Sequence, residues 1–218
     1  MHQTRLKNEI TILISLVLIC LVFSLIRCYL TSTSTYIFLI WNLFLAAVPW
    51  LITSVLHLRG KPIKHPLILS SIVISWLIFF PNAPYILTDL YHIRLKSGMP
   101  LWYDLMLILS YAFTGLIFGF ISLRNIERIL KPKLSGAWIV VGSILALFIA
   151  SFGVYLGRFL RWNSWDLLHH PKAICIDILD RFTHPLDHPR TWGLTIFLGV
   201  FLNMIYWSIK RVKLNVVE

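Results

Sequence analysis

A small set of polar residues in an otherwise apolar chain has the types and spacing to do chemistry. In SWLIFFPNAPYILTDLYHI (Ser75 to Ile93), Asn82, Tyr85, Asp89 and His92 recur at i, i+3, i+7 and i+10, so a helix presents them on one face. Asp89 and His92 can serve as general base and acid, and with Asp104 of WYDL they could hold a divalent cation. A second stretch, RFLRWNSWD, adds Arg158, Arg161, Asn163 and Asp166. Paired guanidinium forks suit a phosphate or carboxylate. The candidate catalytic residues are therefore Asp89, His92 and Asp104, and the candidate ligand-binding residues are Asn82, Tyr85, Arg158, Arg161, Asn163 and Asp166. The sequence has no HExxH motif or carboxylate-rich run, so no metal site is assigned, and a divalent metal stays open as a cofactor. A plainer reading uses the same groups. A charge near the bilayer interior is costly unless paired, so Asp89 or Asp104 bridging to Arg158 would staple the helices and nothing more.

Membrane-spanning helices must position these residues. The chain has 218 residues, 58% hydrophobic and 13% charged. Its mean hydropathy of +0.78 is too apolar for a soluble globular domain. A bilayer core needs roughly 20 apolar residues per helix, and six stretches qualify: about 10–29, 36–56, 67–87, 102–123, 137–157 and 191–209. The fold class is all-α, a six-helix integral membrane bundle filling the chain as one domain. Its first run resembles a signal sequence but is long and has no small-residue cleavage site, so it reads as an uncleaved helix.

The third span is interrupted. Pro81 and Pro84 have no N–H for the carbonyls of Leu77 and Phe80. Asn82 or Ala83 can cap a new segment with Pro84 in its first turn, which would leave a partly positive helix end for an anion. In the second span, Asn42 can hydrogen-bond a neighbouring helix. In the fourth, Gly115 and Gly119 form a small-xxx-small pair, and Gly153 and Gly157 of the fifth are the expected partner face. Asn163 with Asp166 three residues on predicts a capped turn after the fifth span. Beyond it, Ala173 to Phe182 sets Ile174, Ile178 and Phe182 against Asp177, Asp180 and Arg181, which predicts a short interfacial helix.

The formal charge is +11. Most Lys and Arg residues flank the N-terminus, the 57–66 and 124–133 loops and the C-terminus, so the positive-inside rule predicts cytoplasmic termini. All Asp residues and most His residues then lie at or beyond the outer boundary. The cations are topology signals, and with no soluble basic domain nucleic acid is set aside as a partner. His169, His170, His184 and His188 flank prolines and read as solvated loop residues, and Cys20, Cys28 and Cys175 form no disulfide or zinc pattern.

FFPNAPYILTDLYHI (Phe79 to Ile93), WYDL (Trp102 to Leu105) and GVYLGRFLRWNSWD (Gly153 to Asp166) resemble a family of bacterial polytopic membrane proteins called domain of unknown function 1361. The similarity runs from the second span to about the end of the chain. It implies a bacterial inner-membrane protein and carries over no activity. The residues themselves leave three classes: an outward-facing polar site for an anionic lipid or envelope precursor, catalytic or merely binding; an accessory subunit whose Asp/Arg cluster only staples the bundle; and a small-solute or lipid transporter. The lipid bilayer is a partner in each. The pattern leaves the oligomeric state open.

Overall fold

The computed structural model describes residues 2–58, 65–93 and 98–215, and these contain helices and no strand. The elements in order are α1 (His2–Thr31), α2 (Phe38–Leu58), α3 (Pro66–Phe79), α4 (Asn82–Tyr85), a 310 turn (Ile86–His92), α5 (Leu101–Leu130), α6 (Gly136–Phe159), α7 (Asp166–His169), α8 (Pro171–Thr183) and α9 (Pro189–Asn215). Six spans are long and apolar enough to cross a membrane: Leu6–Thr31, Phe38–Leu56, Pro66–Tyr91, Leu101–Leu130, Gly136–Phe159 and Pro189–Val212. The protein is a multi-pass membrane protein. Each span contains most of a predicted one, and several run beyond it because polar residues extend a helix past the hydrocarbon core. The basic 57–66 loop and the turn after Ile93 lie partly outside the described residues.

The chain forms two compact units, Met1–Ile129 and Leu130–Glu218. In the first, α1 and α5 run antiparallel and are joined by three polar rungs. Cys20 meets Ser110 and Thr114, Ser24 meets the Tyr111 hydroxyl at 2.7 Å, and Arg27 meets Asp104. Hydroxyl and thiol groups in apolar surroundings need partners, and these find them across the helix pair. Around the rungs, Leu39, Leu43 and Ala46 of α2 share a core with Ala83, Ile86, Leu107, Ile108 and Tyr111.

The expected break in the third span is present, but the backbone does not leave helical space. Phe80 and Pro81 keep right-handed helical angles. The chain recovers its hydrogen bonds by tightening: Ala83 N–H donates to Phe80 O at 3.1 Å, and Asn82 Nδ2 donates to Phe79 O at 2.9 Å. Asn82 therefore repairs the helix before it. It does not cap the one that follows, whose first turn has no side-chain cap.

Gly115 and Gly119 receive this segment. A Cβ on Gly115 would lie 2.9 Å from Ala83 O, and one on Gly119 would lie 2.7 Å from Ala83 Cβ. The neighbour seated on the small-residue face is thus the broken third span, where the sequence pattern pointed to the fifth. A proline-interrupted helix needs close approach, because its irregular backbone must be buried against protein.

In the second unit, α6 and α9 are antiparallel. Phe148 fills the space over Gly199, and Phe152 stacks with Trp192 at 6.1 Å. Between them the chain turns through α7 and α8. The short helix predicted over 173–182 is α8.

Candidate functional site

The sequence-derived candidates divide between the units, with Asn82, Tyr85, Asp89, His92 and Asp104 in the first and Arg158, Arg161, Asn163 and Asp166 in the second. The 310 turn resets the spacing in the first group. At three residues per turn, Ile86, Asp89 and His92 align, so Asp89 and His92 stay in phase, while Asn82 and Tyr85 belong to the preceding α-helical turn. Asp89 is 1% exposed and accepts a hydrogen bond from Asn42 Nδ2 at 3.1 Å. Asn42 thus finds its expected neighbouring helix, and the residue it finds is a candidate acid–base group. The side chain of His92 lies outside the described residues. With only four residues, α4 offers no macrodipole for an anion.

Asp104 pairs with Arg27 of α1, a partner the sequence reading did not name. Arg27 Nε donates to Oδ1 at 2.7 Å and Nη2 to Oδ2 at 3.2 Å, a two-pronged pair with both residues 2% exposed. Nη1 donates to Thr33 Oγ1 at 3.0 Å, and the guanidinium lies 4.6 Å from the Tyr36 ring centroid. Every nitrogen of Arg27 therefore has a partner. An ion pair satisfied on this scale holds α1 to α5 and leaves Asp104 poorly placed for proton transfer. Arg27 was missed because it reads as one more cation at the end of an apolar run. The signal was present: one basic and one acidic residue, each the lone charge within a predicted span and both near the same boundary.

In the second unit, α6 ends with Arg158 in its last turn, and Arg161 follows at φ +62 with an exposed side chain. Trp162 N–H reaches back to Leu156 O at 3.2 Å. This is a left-handed helix stop, a position where glycine is the usual occupant because a Cβ is strained there. Asp166 closes the next turn, accepting from the backbone N–H of Asn163 at 2.7 Å and from Asn163 Nδ2 at 3.2 Å. The predicted change of direction is there, and the carboxylate of Asp166 makes the bonds. Trp162 Nε1 donates to Asp177 Oδ2 at 2.7 Å and ties this loop to α8.

Around the end of α8, His188 Nε2 lies 2.8 Å from Asp180 Oδ2 and His184 Nδ1 lies 3.3 Å from Oδ1. The His188 hydrogen bond, with His184 adding to it, holds the Asp180 carboxyl below the usual carboxylate range. Both histidines meet Asp180, and His184 keeps the solvent exposure expected of it, with 61% of its side chain exposed. They occupy opposite oxygens, and no three His, Cys, Asp or Glu residues converge as metal ligands among the described residues.

The family model described as "Protein of unknown function (DUF1361)" matches residues 41–205. That range includes the broken third span, WYDL and the whole Arg158 to Asp166 loop, and it begins after α1 and Arg27. No curated protein and no solved structure matches the chain.

Proposed function

We propose that this chain, which belongs to the DUF1361 family, binds an anionic lipid headgroup or lipid-linked envelope precursor through Arg161 and Arg158 at the end of α6. The observation that carries the reading is the conformation of Arg161. A bulky residue in the left-handed region costs about 1–2 kcal/mol relative to glycine, and such outliers persist where the side chain is wanted. Here that side chain is an exposed guanidinium at the end of a membrane-spanning helix, followed by Trp162 and Trp165. Arginine beside aromatic residues at a span end is a chemistry for phosphate-bearing headgroups. The distribution of Lys and Arg supports placing this end outside a bacterial inner membrane with both termini in the cytoplasm.

Asp89 and His92 form the acid–base part of the proposal, in phase on the 310 turn. No reaction is assigned to them. For Asp104 the accessory reading is favoured, because its two-pronged pair with Arg27 is the staple that such a reading requires.

The test is a titration of phosphatidylglycerol micelles into the detergent-purified protein, followed by tryptophan fluorescence. The wild type should show a saturable change that Arg158→Ala and Arg161→Gly each weaken, with phosphatidylcholine producing none. An identical response from all three proteins would remove the arginines from any binding role.

A further inference from the structure

Helix α8 sets charged residues among the isoleucines of its inward face and leaves large apolar side chains on its outward face, beside the exposed Lys172 and Asp180. Its inward face, at i, i+3, i+4 and i+7, carries Ile174, Asp177, Ile178 and Arg181. Arg181 is only 6% exposed, yet Ile176 and Leu179 on the outward face are 67% and 61% exposed, and Leu186 just beyond the helix is 92% exposed. The inward charged groups turn to protein. Arg181 Nη1 donates to Asp177 O at 2.5 Å, its guanidinium lies 5.9 Å from the Tyr155 ring centroid, and Asp177 accepts the Trp162 indole N–H; the buried Arg181 Nε has no hydrogen-bond partner. A soluble helix of this composition gains by turning Arg181 out and Ile176 and Leu179 in. The observed orientation is favourable where the outer medium is hydrocarbon, because buried pairing then spares the charges and the apolar side chains need no protein cover.

The depth of the helix agrees. Phe182 packs 5.7 Å from Phe152 and edge-on, at 5.0 Å, against Trp192. Phe152 lies seven residues before the end of α6 at Phe159, or roughly 10 Å along its axis at 1.5 Å per residue. The C-terminal end of α8 is therefore level with the interior turns of a membrane-spanning helix. Through Phe182 and Trp192 its outward face continues into the exposed apolar side of α9, Ile196, Phe197 and Val200. Lys172 stands exposed at the start of α8, where its long stem can carry an ammonium to headgroups.

We propose that α8 is seated in lipid by its outward face, Cys175, Ile176, Leu179 and Phe182, at the boundary between headgroups and acyl chains. This differs from the sequence expectation, which grouped Ile174, Ile178 and Phe182 as the apolar face; of these, Phe182 alone belongs to the outward face. It goes beyond anion binding at Arg161 and stands without it.

The experiment is spin-label accessibility in phosphatidylethanolamine–phosphatidylglycerol nanodiscs, with Cys28 and Cys175 replaced by serine and a nitroxide at Ile176→Cys, Leu179→Cys or, in the exposed loop beyond the end of α6, Asn163→Cys. Dissolved oxygen should relax the labels at 176 and 179 with a several-fold preference over a water-soluble nickel chelate, and Asn163→Cys should favour the chelate. Equal chelate access at all three sites would place α8 in water. Labels at 176 and 179 reached by neither relaxant would mean that protein covers the face, and either result overturns the proposal. Two separate outward sites keep the test decisive if one variant fails to fold.

Discussion

Two arginines illustrate opposite uses of the same side chain. Arg27 is enclosed, with its donors on Asp104 and Thr33 and its face toward Tyr36. Removing one member of such a pair strands the other in a low-dielectric site, at a cost of about 3–5 kcal/mol, whereas replacing both with apolar residues is close to neutral. Arg27→Ala and Asp104→Ala should therefore each lower stability in detergent by that amount, and Arg27→Met with Asp104→Leu should recover most of it. A double-mutant cycle by chemical denaturation measures the coupling. Arg161 is the reverse case, exposed and strained. Arg161→Gly relieves the strain while enlarging the conformational freedom of the unfolded chain, so stability should stay unchanged or rise by up to about 1 kcal/mol. This prediction separates folding from function at one position, since a purely structural arginine would not leave stability intact when removed.

At the scale of elements, the fold depends on an interrupted helix being brought against glycine. Gly119→Ala puts a methyl group 2.7 Å from Ala83 Cβ, with no flexible side chain to yield. Overpacking of that kind costs about 1–3 kcal/mol, and Gly115→Ala, facing a carbonyl oxygen at 2.9 Å, should behave alike in a thermal-melt series. At the junction of α8 and α9 the relevant variable is pH. His188 and His184 hold Asp180 below its ordinary pKa, so the stabilisation they supply is complete above the unfolded carboxylate value of about 4 and is lost as pH falls through the depressed folded value. His188→Ala should shift that acid transition upward, and hydrogen exchange at the α8–α9 junction reads it directly. The spans, the prolines and the turn at Asp166 were legible in the sequence because each follows from composition or from a missing N–H. The inward face of α8 was not. Periodicity locates an amphipathic helix but does not say which side faces the protein, and in lipid the usual answer inverts. The partner of Gly115 and Gly119 was hidden for a related reason, because small residues advertise close approach without naming what approaches.

For the whole molecule, the span architecture and the family are settled and the activity is proposed. Of the candidate residues, Asp89 gains a partner in Asn42, Asp104 is spoken for by Arg27, and Arg161 stands in a conformation that folding alone does not favour. Pairing between distant spans is what the sequence could not specify. The depth of a charge can be read from hydropathy, but its rotation about the helix axis depends on packing. The central claim, that the end of α6 binds an anionic lipid through Arg161, is tested most directly by native mass spectrometry of the gently purified protein beside Arg161→Gly. Wild type should carry a discrete adduct with the mass of an anionic lipid, and the variant should lose it while melting at the same temperature or higher. An adduct of equal mass and occupancy on both proteins would contradict the account.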